Sequence, residues 1–137
     1  ALLDKLSGYA KPEERILVLA RYHHLKPDCL QKAATRWPKL QIDFMTVHAS
    51  KGQQADYAIV LGLHEGSDGF PAPARESIME SALLPQPEDF PDAEERRLLY
   101  VALTRARQRV WLLFSKSEPS VFVDVLRELD VPAVRNP

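Results

Sequence analysis

Residues 93–114 read AEERRLLYVALTRARQRVWLLF and pass from a helical repeat into an apolar run with almost no loop between. Leu98, Leu99, Ala102, Leu103 and Ala106 share one helical face. Val110–Phe114 is a short continuous apolar run and reads as the fourth strand. A helix delivered straight into such a strand is the repeating step of an α/β fold. The same signal recurs upstream. Ile16–Ala20 is ILVLA, and Tyr57–Leu63 carries Ala58, Ile59, Val60 and Leu61. Gln41–His48 alternates, with Ile42, Phe44 and Thr46 on one side and Met45 and Val47 on the other.

Helical stretches separate these runs. Residues 1–8 end a helix with Leu2, Leu3 and Leu6 on one side and Gly8 as its stop. Pro27 opens a helix over Cys29–Arg36, and Pro38 closes it. A short helical piece is expected after the turn Ala49–Gly52. Residues 64–91 hold five of the eleven prolines and read as a long surface connection with one helix at Arg75–Leu84. Asp92 and Glu95 form a capping-box-like pair for the helix that follows. Pro119 and Ser120 start a last helix through Leu129, with Val121, Phe122, Val125, Leu126 and Leu129 as its apolar stripe. Together these elements predict a three-layer α/β domain with a mostly parallel sheet, in a single unit over residues 1–137. In such sheets ligands gather at the carboxyl ends of the strands, here Arg21-Tyr22, His48–Lys51 and Leu63–Glu65.

Several function classes are set aside by what the chain lacks. A net charge of −1 gives no global footprint for nucleic acid or membrane, so any basic surface is local. No apolar run approaches the roughly 18–20 residues of a membrane-spanning helix. The single cysteine, Cys29, allows no internal disulfide and fits a reducing compartment. His23, His24, His48, His64 and Cys29 show no metal-ligand spacing, so no metal site is expected. None of the five glycines is followed by Lys, so the phosphate-cradling G-x-x-x-x-G-K-[ST] loop is missing. No strand ends in paired acids suited to Mg²⁺. The chain alone is therefore expected not to hydrolyse a nucleotide, and these missing parts favour a piece of a longer protein.

Two stretches do carry chemistry. Thr46–Gln54 sets hydroxyls, an imidazole, an ammonium and a glycine turn at a strand end, a combination suited to phosphate oxygens. The helix from Ala93 places Arg105 where it should end, with Arg96, Arg97, Arg107 and Arg109 nearby. Each arginine by itself is as compatible with a solvated surface. Taken in order, TVHASKGQQADYAIVLGLHEG and EERRLLYVALTRARQRV resemble motifs V and VI of superfamily 1 DNA helicases of the UvrD/Rep type. Arg21, at the end of ILVLAR, matches the motif IV position. Motif IV then lies near residues 16–24, motif V near 42–56 and motif VI near 93–107.

The resemblance implies a RecA-like (P-loop NTPase-type) domain lacking its own P-loop, the second motor domain of such an enzyme. ATP with Mg²⁺ would be held mainly by an N-terminal RecA-like domain of the same protein. Arg105 matches the motif VI arginine that reaches the γ-phosphate. Gly52 and Gln54 match motif V positions near the nucleotide. Many relatives have Glu at the place of Gln54, where it touches the ribose, and Gln keeps a hydrogen bond without the charge. Thr46 and His48 match the single-stranded DNA side of motif V, and Arg21 is grouped with them. The implied partners are single-stranded and duplex-junction DNA, with no membrane, in a cytoplasmic, nucleoid-associated enzyme. Only about twenty residues separate Arg21 from Gln41, so the large 2B insertion of the UvrD/Rep type is expected to be absent or minimal. The alternative is a non-catalytic helicase-like module that binds DNA or protein.

Overall fold

A computed structural model describes residues 2–66, 68–72 and 93–129. Four strands form one sheet: β1 (Arg15–Ala20), β2 (Gln41–Thr46), β3 (Ala55–Val60) and β4 (Ala106–Leu112). All neighbouring pairs are parallel, in the order β2-β1-β3-β4. The helices are α1 (Leu2–Tyr9), α2 (Ala33–Arg36), α3 (Ala93–Leu103) and α4 (Val121–Glu128). The α/β architecture with a parallel sheet is the one the apolar runs predict.

Strand alternation divides the core in two. Leu17, Leu19, Ala58 and Val60 face Leu98, Leu99 and Ala102 of α3 and Phe122 and Val123 of α4. Ile16, Val18, Tyr57 and Ile59 face the other way, toward Leu6 of α1. The central strands β1 and β3 are buried almost throughout, whereas β2 and β4 are edges with exposed residues. This is why β1 and β3 read as unbroken apolar runs and β2 reads as an alternating one.

Several boundaries differ from the sequence expectation. β4 starts at Ala106, not Val110, because the carbonyl of Arg105 already accepts the Ala55 amide at 2.9 Å and pairing with β3 begins there. Ala106, Arg107 and Arg109 therefore belong to the edge strand and not to the helix. Residues 47–52 form consecutive turns and no helix follows Gly52, whose φ of +82° suits glycine at that turn. β3 ends at Val60, short of the predicted Leu63. The expected helix over Cys29–Arg36 is a 3₁₀ turn over Asp28–Lys32 that runs into the four-residue α2. α1 runs through Gly8 to Tyr9. In α4 the buried pair is Phe122 and Val123, while Val121 is 38% and Leu129 70% exposed, so the stripe is rotated from the predicted one. The expected helix at Arg75–Leu84 and the cap at Asp92 lie outside the described residues. Among the described residues no helix is long and apolar enough to cross a membrane.

The residues just after β3 pack closely against α4. Phe70 is fully buried with its ring 5.5 Å from Phe122, nearly perpendicular to it. A Cβ on Gly69 would sit 2.1 Å from the carbonyl oxygen of His64, so this approach admits only glycine. Glu65 accepts the Val121 amide at 3.1 Å and so caps the first turn of α4.

Candidate functional site

Arg105 follows the last turn of α3, between Thr104 and the start of β4. Its Nε donates to the Val101 carbonyl at 3.0 Å. Nη1 donates to the carbonyls of Gln53 at 3.0 Å and Ser50 at 3.4 Å. Nη2 donates to the Thr104 hydroxyl at 3.2 Å. Four of the five guanidinium N–H groups are thus oriented by neutral oxygens, leaving one on Nη2. Among the described residues no carboxylate pairs with Arg105. A cation fixed in direction, with no carboxylate partner among the described residues, is suited to an anionic oxygen.

The segment that receives Arg105 is held in place by its own hydrogen bonds. Ser50 is fully buried, with its hydroxyl on the Val47 carbonyl at 2.6 Å, and Gln53 N–H closes a turn onto Ser50 O at 2.9 Å. Arg15 Nη1 donates to Gln53 Oε1 and to Gln54 O, each at 3.3 Å, while its Nε pairs with Asp43 at 2.8 Å. Arg107 Nη2 reaches Gln54 Oε1 at 3.4 Å. Three guanidinium groups therefore meet at two glutamines. Arg105 meets the turn that holds Gly52 and Gln54 through the carbonyls of Ser50 and Gln53, at the amino ends of β3 and β4. The strand-end rule had pointed to the opposite edge. The connection 47–54 explains this, since it begins at the carboxyl end of β2 and must reach the amino end of β3. Arg15 and Gln53 were not singled out from sequence; both look like ordinary surface residues until the connection folds over the sheet edge.

Thr46, His48 and Arg21 stand at the carboxyl ends of β2 and β1. The Thr46 hydroxyl accepts the Ala49 amide at 3.2 Å, and His48 is exposed. Arg21 is engaged within the domain. Its Nη2 is 2.8 Å from Glu95 Oε1, and its Nε lies 3.1 and 3.0 Å from the two Glu95 oxygens. The two side chains are only 17% and 10% exposed. The Glu95 hydrogen bond holds the guanidinium proton more tightly than usual, raising its pKa. Glu95 also accepts the Ala72 amide at 2.9 Å. The sequence suggested Glu95 only as a capping partner, and its burial was not legible. Among the described residues no group of His, Cys, Asp or Glu could hold a metal ion.

A family model described as the UvrD-like helicase C-terminal domain matches residues 2–117. The chain belongs to this family. Among curated proteins, this UvrD-like helicase C-terminal domain is 79% identical to DNA helicase IV of Escherichia coli (strain K12) over all 137 of its residues, which are 20% of that protein. It is 37% identical to the ATP-dependent DNA helicase PcrA of Bacillus subtilis (strain 168) over 86 residues, 63% of this chain and 10% of that one. With the ATP-dependent DNA helicase Rep of Escherichia coli (strain K12) it shares 32% over 115 residues, 84% of this chain and 15% of that one. The UvrD-like domain thus spans a fifth or less of the length of these relatives.

Proposed function

We propose that this UvrD-like domain forms one wall of the ATP site, and part of the single-stranded DNA track, of a longer ATP-dependent DNA helicase. The observation that carries the reading is Arg105: a guanidinium aimed by backbone carbonyls, beside a glycine turn, with no carboxylate partner among the described residues. Those residues fit a phosphate. Among the described residues no acid cluster accompanies them that would hold Mg²⁺. The phosphate-binding loop and the Mg²⁺ ligands are assigned to an N-terminal RecA-like domain of the longer protein. ATP with Mg²⁺, when bound there, supplies the phosphoryl group whose hydrolysis drives movement.

Within that site Arg105 places positive charge on the transferring phosphoryl group, where the charge is most useful. Gln54 approaches the nucleotide sugar from the same edge. Its Oε1 accepts from Arg107 Nη2, so its amide N–H groups are the ones it has to offer a sugar hydroxyl. At the other edge, the exposed His48 and the Thr46 turn contact single-stranded DNA near a duplex junction, mostly through phosphates and stacking. Arg21 joins that track only by leaving Glu95. An enzyme of this kind works in the cytoplasm, on the nucleoid.

The test is Arg105→Ala in the full-length protein. DNA-stimulated ATPase is expected to collapse while nucleotide and DNA binding persist. The isolated 137-residue chain is expected to show no turnover. Normal turnover in the variant would leave the non-catalytic module as the better reading.

A further inference from the structure

Glu95 is a buried carboxylate in the first turn of α3, on a helix whose other buried residues are apolar. It holds three segments at once: Arg21 at the end of β1, the Ala72 amide after Phe70, and its own helix. Replacing such a pair by apolar packing is often neutral or better for stability, so stability alone does not account for it. What an ion pair supplies and apolar packing does not is direction. Leu98, Leu99 and Ala102 hold α3 to the sheet by contacts that are non-directional and tolerate sliding. The guanidinium–carboxylate contact at 2.8–3.1 Å fixes the axial position of the helix.

That position matters at the far end. Eight helical steps lead from Glu95 to Leu103, about 12 Å at 1.5 Å per residue, and Arg105 follows two residues later. A helix of this length moves as a unit, so a slide at Glu95 carries the Val101 carbonyl with it, and that carbonyl in the last turn orients the Arg105 Nε. The contact of Arg105 with Ser50 O is already 3.4 Å, and a shift of about half an ångström would break it. We propose that Glu95 is a positioning residue for Arg105, setting the axial register of α3 through Arg21 and the Ala72 amide. This rests on the assignment of Arg105 to phosphate chemistry.

The experiment uses the full-length protein and ATPase at saturating single-stranded DNA, with Glu95→Ala, Glu95→Gln and Arg105→Ala singly and each Glu95 change combined with Arg105→Ala. Residual rates are followed with radiolabelled ATP. Glu95→Ala is expected to lower kcat by about 10- to 100-fold, the cost of a misplaced catalytic group. KM for ATP should move by less than about threefold, because ground-state binding is carried elsewhere. Glu95→Gln keeps the volume and an acceptor for Ala72, so it should fall between wild type and Glu95→Ala. It carries the same test if the alanine variant unfolds. In the Arg105→Ala background neither Glu95 change should slow turnover further by more than about twofold, because residues acting as one unit are not additive. Wild-type kcat in both Glu95 variants, or a loss that persists undiminished without Arg105, overturns the proposal. Near-normal kcat in Arg105→Ala alone overturns the phosphate assignment beneath it, and that result appears in a variant where Glu95 is untouched.

Discussion

Arg105→Lys tests whether geometry or charge makes this residue effective. The structure commits four of its N–H groups to Val101 O, Gln53 O, Ser50 O and Thr104 Oγ1. Only one N–H and the delocalised charge are left to offer a phosphate. That places Arg105→Ala near the lower end of the range for arginines of this type, a loss of about 10³ in kcat, or about 4 kcal/mol. Lysine keeps the charge but not the planar fork. Its ammonium has three donors and lacks the Nε–H that Val101 O accepts, so the side chain is no longer aimed. Arg105→Lys should therefore lose nearly as much as alanine, to within about tenfold of it. The assay is steady-state ATPase of the full-length protein against DNA concentration, with nucleotide and DNA affinities measured by fluorescence. A lysine variant within about tenfold of wild type would mean that charge alone suffices and that the carbonyl frame around Arg105 is incidental.

Phe122→Ala removes a fully buried ring packed on Phe70 and should destabilise the domain by about 3–5 kcal/mol in urea denaturation of the 137-residue chain; a loss below about 1 kcal/mol would show that the site collapses to fill the void. At Asp4, the Trp37 indole N–H at 2.8 Å, helped by Arg36, lowers the carboxyl pKa below its ordinary 3.8. Since the folded value is the lower one, this contribution is present above pH 4 or so and is lost as pH falls through the folded value. Trp37→Phe should flatten that part of the acid-stability profile followed by circular dichroism, and an unchanged profile counts against the contact. His48→Ala should weaken single-stranded DNA binding at least about fivefold, roughly 1 kcal/mol, in fluorescence anisotropy. Unaltered affinity would remove His48 from the track.

The sequence was most informative where burial is one-dimensional. Ile16–Ala20 and the run around Ala58–Val60 read as buried strands because they are short, unbroken and bounded by turn or polar residues, and the structure places both in the middle of the sheet. It was least informative at boundaries, as where β4 begins four residues early. A helical face and a strand face overlap for a residue such as Ala106, and only pairing with Ala55 decides between them.

By itself the sequence determined a parallel α/β sheet, the lack of a phosphate-cradling loop, and two motif stretches whose order matches one helicase family. Local spacing records all of these. The tertiary structure decided which of the arginines is aimed and by what. Arg107 and Arg109 went to an edge strand, Arg21 to a carboxylate 74 residues away, and Arg105 to the carbonyls of Ser50 and Gln53. Periodicity reports which side of an element is buried. It says nothing of which distant atoms a crossover brings within 3 Å, and a charged group's role is set by those atoms.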